Sequence, residues 1–182
     1  MNDLDSGLIL NITGNGKGKT TGALGIVIRA LGWEWRVAVI QFMKSSRETG
    51  ELQFFRRFCP GMIFEQYGLG LTSRPGDHAG AARRGWERAK CLLADFEGEL
   101  LVLDELNVAL SHGFLDVADV VSAFRGKRHG LNVVVTGRGA PAELLEINLT
   151  TRNIPGAGRV EMCGVPSHNL EMYVEKLRDK YD

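Results

Sequence analysis

The chain has only three cysteines in 182 residues, Cys59, Cys91 and Cys163, an odd number with no C-x-x-C pair. That disfavours a disulfide framework and a structural zinc site, and a reduced, cytoplasmic setting is expected. Long apolar runs are also missing. No stretch approaches ~18 consecutive apolar residues, and the opening "MNDLDSG" has neither the basic nor the apolar region of a secretion signal, so neither a membrane span nor export is expected. Charge of one sign is absent: 22 Lys and Arg stand against 22 Asp and Glu. No global field then selects nucleic acid or an anionic membrane as the main partner, and recognition of an anion has to be local. The four histidines, His78, His112, His129 and His168, lack the i, i+4 spacing of a helical metal site and are expected to cap or face solvent.

What the chain does have is enough apolar material for a sizeable core, 44% of its residues, with no repeat, low-complexity tract or linker. One domain over residues 1–182 is therefore expected. Apolar runs at residues 7–13 ("GLILNIT"), 36–42 ("RVAVIQF"), 62–67 ("MIFEQY"), 99–105 ("ELLVLDE") and 131–137 ("LNVVVTG") read as strands. Between them lie helical stretches: 20–32, closed by Gly32; 48–58, with Leu52, Phe55 and Phe58 near one face; 77–96; 115–126, stopped by Gly126; and 140–147, with Pro141 in its first turn. Residues 158–165 suggest a last strand and 167–182 a terminal helix. Trp33, Trp35 and Trp86 are expected in the core. Alternating strands and helices specify an α/β fold with a mainly parallel sheet flanked by helices, which binds ligands at the carboxyl ends of its strands.

The stretch "TGNGKGKTT", residues 13–21, sits between the first strand and the first helix. Gly14, Gly16 and Gly18 free the backbone to turn its N–H groups onto phosphate oxygens, and the helix that follows aims its positive end at the same charge. Lys19 would reach phosphate oxygens and the Thr20 hydroxyl a magnesium ion, as in G-x-x-x-x-G-K-[ST]. The spacer Asn15, Gly16, Lys17 is one residue short of that pattern. A P-loop site also needs an acid at the end of a neighbouring strand to hold magnesium, which "LLVLDE" supplies as Asp104 and Glu105. "TGRGA", residues 136–140, ends the fifth strand on the same edge, where Arg138 can contact nucleotide or triphosphate.

These residues resemble the ATP:corrinoid adenosyltransferases that act on cob(I)alamin and cobyrinic acid diamide. The resemblance rests on "TGNGKGKTT", "VIRALG", "VAVIQFMK", "ETGE", "GWERAK", "LLVLDELNVAL" and "VVVTGRGAP", in that order over roughly three quarters of the chain. The short loop is the form this family uses. The resemblance implies a RecA-like P-loop fold, usually dimeric, in which reduced cobalt attacks the 5′ carbon of ATP and triphosphate leaves intact. It implies MgATP and a corrinoid as ligands, a flavoprotein reductase as a partner, and no catalytic side chain, because cobalt is the nucleophile. Residues Gly14, Asn15, Gly16, Lys17, Gly18, Lys19, Thr20 and Thr21 would hold the phosphates. Gln41, Lys44, Glu105, Asn107 and Arg138 match positions around the nucleotide, and Thr20, Asp104 and Glu105 would serve magnesium. Members commonly carry G-F-T-W where this chain has "GLTS", residues 70–73, so Leu71 and Ser73 replace two aromatics thought to lie against the corrinoid. The family's usual continuation after "GRGAP" is also not visible in residues 142–182. A P-loop ATPase or kinase, or a nucleotide-binding regulator with a decayed corrinoid site, are the alternatives.

Overall fold

A computed structural model describes residues 7–45, 49–70, 73 and 75–147. The elements run β1 (Ile9–Ile12), α1 (Lys19–Gly32), β2 (Val37–Gln41), α2 (Gly50–Phe58), β3 (Ile63–Gln66), α3 (His78–Asp95), β4 (Leu100–Asp104), α4 (Leu106–Ser111), α5 (Val117–Arg125), β5 (Asn132–Thr136) and α6 (Ala142–Glu146). Each strand expected from the apolar runs forms, trimmed at its ends. The strand and helix expected at 158–165 and 167–182 lie outside the described residues.

The five strands make one parallel sheet in the order β1-β5-β4-β2-β3. Every residue of β2, β4 and β5 is buried, which is why their sequences are nearly unbroken in Val, Leu and Ile and show no alternation. Successive side chains still point to opposite faces. Val37 and Val39 of β2 with Leu100 and Val102 of β4 meet Ala23, Val27 and Ala30 of α1 and Phe55 of α2. Ala38 and Ile40 with Leu101 and Leu103 meet Ala82, Trp86, Ala89 and Leu93 of α3, Leu106 and Ala109 of α4, and Val120 and Phe124 of α5. The sheet is thus sealed by helices on both faces, and ligands are left its carboxyl edge. Among the described residues no helix is long and apolar enough to cross a membrane.

Several local expectations are corrected. Helix α1 ends at Gly32 as expected, but the left-handed residue that closes it is Glu34, at φ 60. The Trp35 N–H bonds the Ala30 carbonyl and the Glu34 N–H that of Leu31, both at 3.0 Å, so the helix ends in a Schellman motif with glutamate where glycine is favoured. Exchanging Glu34 for glycine should stabilise the fold by about 0.5–1 kcal/mol, read as a higher urea midpoint at unchanged slope. Pro141 precedes the helical residues of α6 as its N-cap. Phe58 is 61% exposed and Trp33 48% exposed, whereas Trp86 is core at 3%. Helix α2 is nine residues long and seats only Leu52 and Phe55; Phe58 rests on Phe54 and under the Arg57 guanidinium. Helix α4 was not legible at all, because six residues are too few to show a period.

Candidate nucleotide site

The loop after β1 turns on two glycines whose φ values, 109 at Gly14 and 97 at Gly18, are ones a side chain would oppose. Gly18 is also the N-cap of α1. The caps of α2, α3 and α5 are Thr49, Asp77 and Asp116, each accepting a backbone N–H with its side chain. Helix α1, the 14-residue helix that follows the loop, has no capping side chain and no acid in its first turn. Its first N–H groups are left to an anion from outside.

Lys19 is 6% exposed, and its Nζ donates to the carbonyls of Gly14 at 2.9 Å and Gly16 at 2.6 Å, so the loop arches over its own lysine. Burial pulls the Lys19 ammonium below its ordinary value; Glu105 opposes this and Arg138 adds to it. Asn15, Lys17 and Thr21 are exposed on the outside of the loop and helix, and Gly16 is half-buried.

Sequence reading treats Asp104 and Glu105 as one acidic pair facing the ligand edge. The structure separates them. Asp104 is 1% exposed and its carboxylate accepts three hydrogen bonds: Thr20 Oγ1 at 2.8 Å and Thr136 Oγ1 at 2.7 Å on Oδ1, and Gln41 Nε2 at 2.8 Å on Oδ2. It therefore ties the first turn of α1 to β2 and β5. Glu105 is half-buried and left-handed at φ 64, and its N–H donates to Thr136 Oγ1 at 2.9 Å. A non-glycine residue in that conformation at the end of a core strand is strain of the kind that gathers at functional sites.

Burial raises the Glu105 carboxyl, Asp104 raises it further, and Lys19, Lys44 and Arg138 oppose them. A carboxyl raised on folding holds a proton that the unfolded chain has released, so stability falls as pH rises from the ordinary glutamate value through the raised one. Replacing Glu105 with glutamine should therefore raise the melting temperature at neutral pH, with the gain closing near about pH 4. A lower melting temperature at neutral pH would contradict the electrostatics.

Gln41 and Asn107 are both wholly buried and bonded to neighbours. Asn107 Nδ2 donates to Asn11 Oδ1 at 2.7 Å and to the Gly137 carbonyl at 3.2 Å, joining α4 to β1 and to the turn after β5. A Cβ on Gly137 would come within 2.9 Å of Asn107 Cβ, so the close approach and the φ of 128 both require glycine there. Arg138 is exposed, and Lys44 pairs with Glu51. Asn11 and Gln66 were missed by sequence reading, which placed Thr136 on the ligand edge within "TGRGA" but gave it no role.

A glycine loop handed from a parallel strand to an uncapped helix, with its threonine bonded to a buried aspartate two strands away, places the chain among P-loop proteins of RecA-like α/β fold. The model of the family ATP:corrinoid adenosyltransferase BtuR/CobO/CobP matches residues 5–154, and the chain belongs to that family. It is 42% identical over 145 residues to the corrinoid adenosyltransferase of Pseudomonas aeruginosa, covering 78% of this chain and 71% of that protein. The corrinoid adenosyltransferase of Escherichia coli K12 is 37% identical over 147 residues, covering 79% and 74%. The flagellar accessory protein FlaH of Methanocaldococcus jannaschii superposes with a TM-score of 0.55 at 12% identity, over 79% of this chain and 67% of that one, a likeness of fold alone.

Proposed function

We propose that the protein transfers the 5′-deoxyadenosyl group of ATP to the cobalt(I) of a corrinoid, with triphosphate as leaving group, in adenosylcobalamin biosynthesis. Cobalt supplies the electron pair of the new cobalt–carbon bond, and the pair of the broken C5′–O bond leaves on triphosphate. Family membership across residues 5–154 is the observation that carries this reading. The site's chemistry supports it. The loop N–H groups and Lys19 bind and neutralise phosphate oxygens, which stabilises a triphosphate leaving group. Arg138 and Lys44 add positive charge near Glu105.

The oxygen donors Thr20, Asp104 and Glu105 fit magnesium, a hard cation that keeps much of its water and takes one or two carboxylates. Thr20 and Glu105 would hold it, with Asp104 orienting the Thr20 hydroxyl; when bound it would offset charge gathering on the leaving phosphates. A homodimer, an electron-donating flavoprotein reductase and a cytoplasmic location go with this reading, as does one P-loop domain over the whole chain.

Incubation with MgATP and chemically reduced cob(I)alamin should yield an adenosylated corrinoid and triphosphate, separable by chromatography. ADP and phosphate instead would make the protein an ATPase or kinase. MgATP binding with no corrinoid product would favour a regulator, the reading that Leu71 and the exposed Ser73 favour.

A further inference from the structure

Four neighbouring strands end in polar residues: Gln66 on β3, Gln41 on β2, Asp104 on β4 and Thr136 on β5. Gln41 is in register with both Gln66 and Asp104, so the side chains form a row across the carboxyl edge. Gln41 and Thr136 are 0% exposed and Asp104 is 1% exposed, and polar groups so placed are costly unless each is bonded.

The chemistry fixes the direction of the row. A carboxylate only accepts, so Gln41 must turn its NH2 to Asp104, at 2.8 Å. That leaves its carbonyl facing Gln66, whose NH2 donates to it at 2.8 Å. Rotating Gln41 would set oxygen against carboxylate and donor against donor, and rotating Gln66 would set oxygen against oxygen. On the far side, Asp104 takes the Thr20 hydroxyl at the first turn of α1.

We propose that Gln66 is a positioning residue for the nucleotide site. It locks the amide of Gln41, which holds the Asp104 carboxylate and through it the Thr20 hydroxyl beside the loop. Gln66 sits on β3, four strands from the loop-bearing β1 in the sheet order β1-β5-β4-β2-β3, and acts without touching the ligand. The inference rests on the proposed nucleotide site, but its test reads MgATP affinity and is independent of the transfer step.

Gln66→Met keeps the length and removes the donor. It should weaken MgATP binding roughly three- to tenfold, the effect of one net hydrogen bond, and leave the KM for corrinoid unchanged. Gln66→Glu should be worse than Gln66→Met, because a carboxylate draws the Gln41 NH2 away from Asp104. In a Gln41→Met background, Gln66→Met should add nothing, since the link it acts through is gone. Calorimetric titrations with MgATP on these four variants and the parent, with thermal melts to confirm folding, decide it. Independent, additive losses, or equal affinities in Gln66→Met and the parent, would overturn the positioning role. A parent that binds MgATP with this pattern but adenosylates no corrinoid overturns only the transferase reading, and a parent that binds no MgATP overturns both.

Discussion

Lys19→Ala is expected to weaken MgATP binding by roughly ten- to hundredfold, since a charge-assisted contact to phosphate contributes about 1.5–3 kcal/mol. Lys19 faces the carbonyls of Gly14 and Gly16, so its side chain already lies inside the arch that would take the phosphates. Its removal deletes a buried cation whose charge burial disfavours, and the half-buried carbonyls it leaves can turn to water, so the fold should survive. Lys19→Arg should not restore affinity, because a planar guanidinium does not fit a cage shaped for a compact ammonium. Calorimetry with MgATP checks both variants, and unchanged affinity in Lys19→Ala would remove the loop as the phosphate site.

Asp104→Asn should reduce both stability and magnesium-dependent turnover, whereas Glu105→Gln should impair turnover without loss of stability. Sequence reading expects either substitution to impair turnover more than folding, on the ground that both acids face the ligand edge. The three donors converging on a 1% exposed carboxylate change that for Asp104. Asparagine can keep its oxygen toward Thr20 and Thr136, but its NH2 then confronts the NH2 of Gln41. If Gln41 rotates, it meets the NH2 of Gln66 instead. Unless the half-buried Gln66 amide turns as well, one buried donor is stranded, at a cost of about 1–3 kcal/mol. For a chain of this size that lowers the melting temperature by roughly 2–12 °C. Activity titrated against magnesium should show a loss that excess metal does not repair. A variant as stable as the parent would mean that Gln41 is not committed to Asp104.

The apolar runs made the strands legible because strands buried on both faces need little besides Val, Leu and Ile. The loop was legible because few uses other than phosphate binding call for Gly14, Gly16 and Gly18 just ahead of Lys19 and Thr20. What sequence could not give was the order of the strands. Thr136 matters because β5 lies between β1 and β4, and Gln66 because β3 lies beside β2. Without that order, each is only a polar residue at the end of an apolar run. The left-handed backbone of Glu34 and Glu105 was missed for a local reason: sequence normally signals that conformation with glycine. Leu71, on which part of the corrinoid argument turns, lies outside the described residues.

The pairing of β1 with β5 has a consequence for biosynthesis. Ile9 pairs with Val133, and the Leu8 N–H reaches the Asn132 side chain 124 positions later. On a ribosome adding about 5–20 residues per second, the loop-bearing strand waits roughly 6–25 seconds for β5 to be made. Until then the apolar side chains of β1 have no neighbouring strand, and the gap between strand and partner is among the costliest kinds of closure in a chain this short. Nucleotide competence should therefore appear late and abruptly in the nascent chain, when β5 slots between β1 and β4, and any release before Thr136 should yield a product that cannot grip ATP.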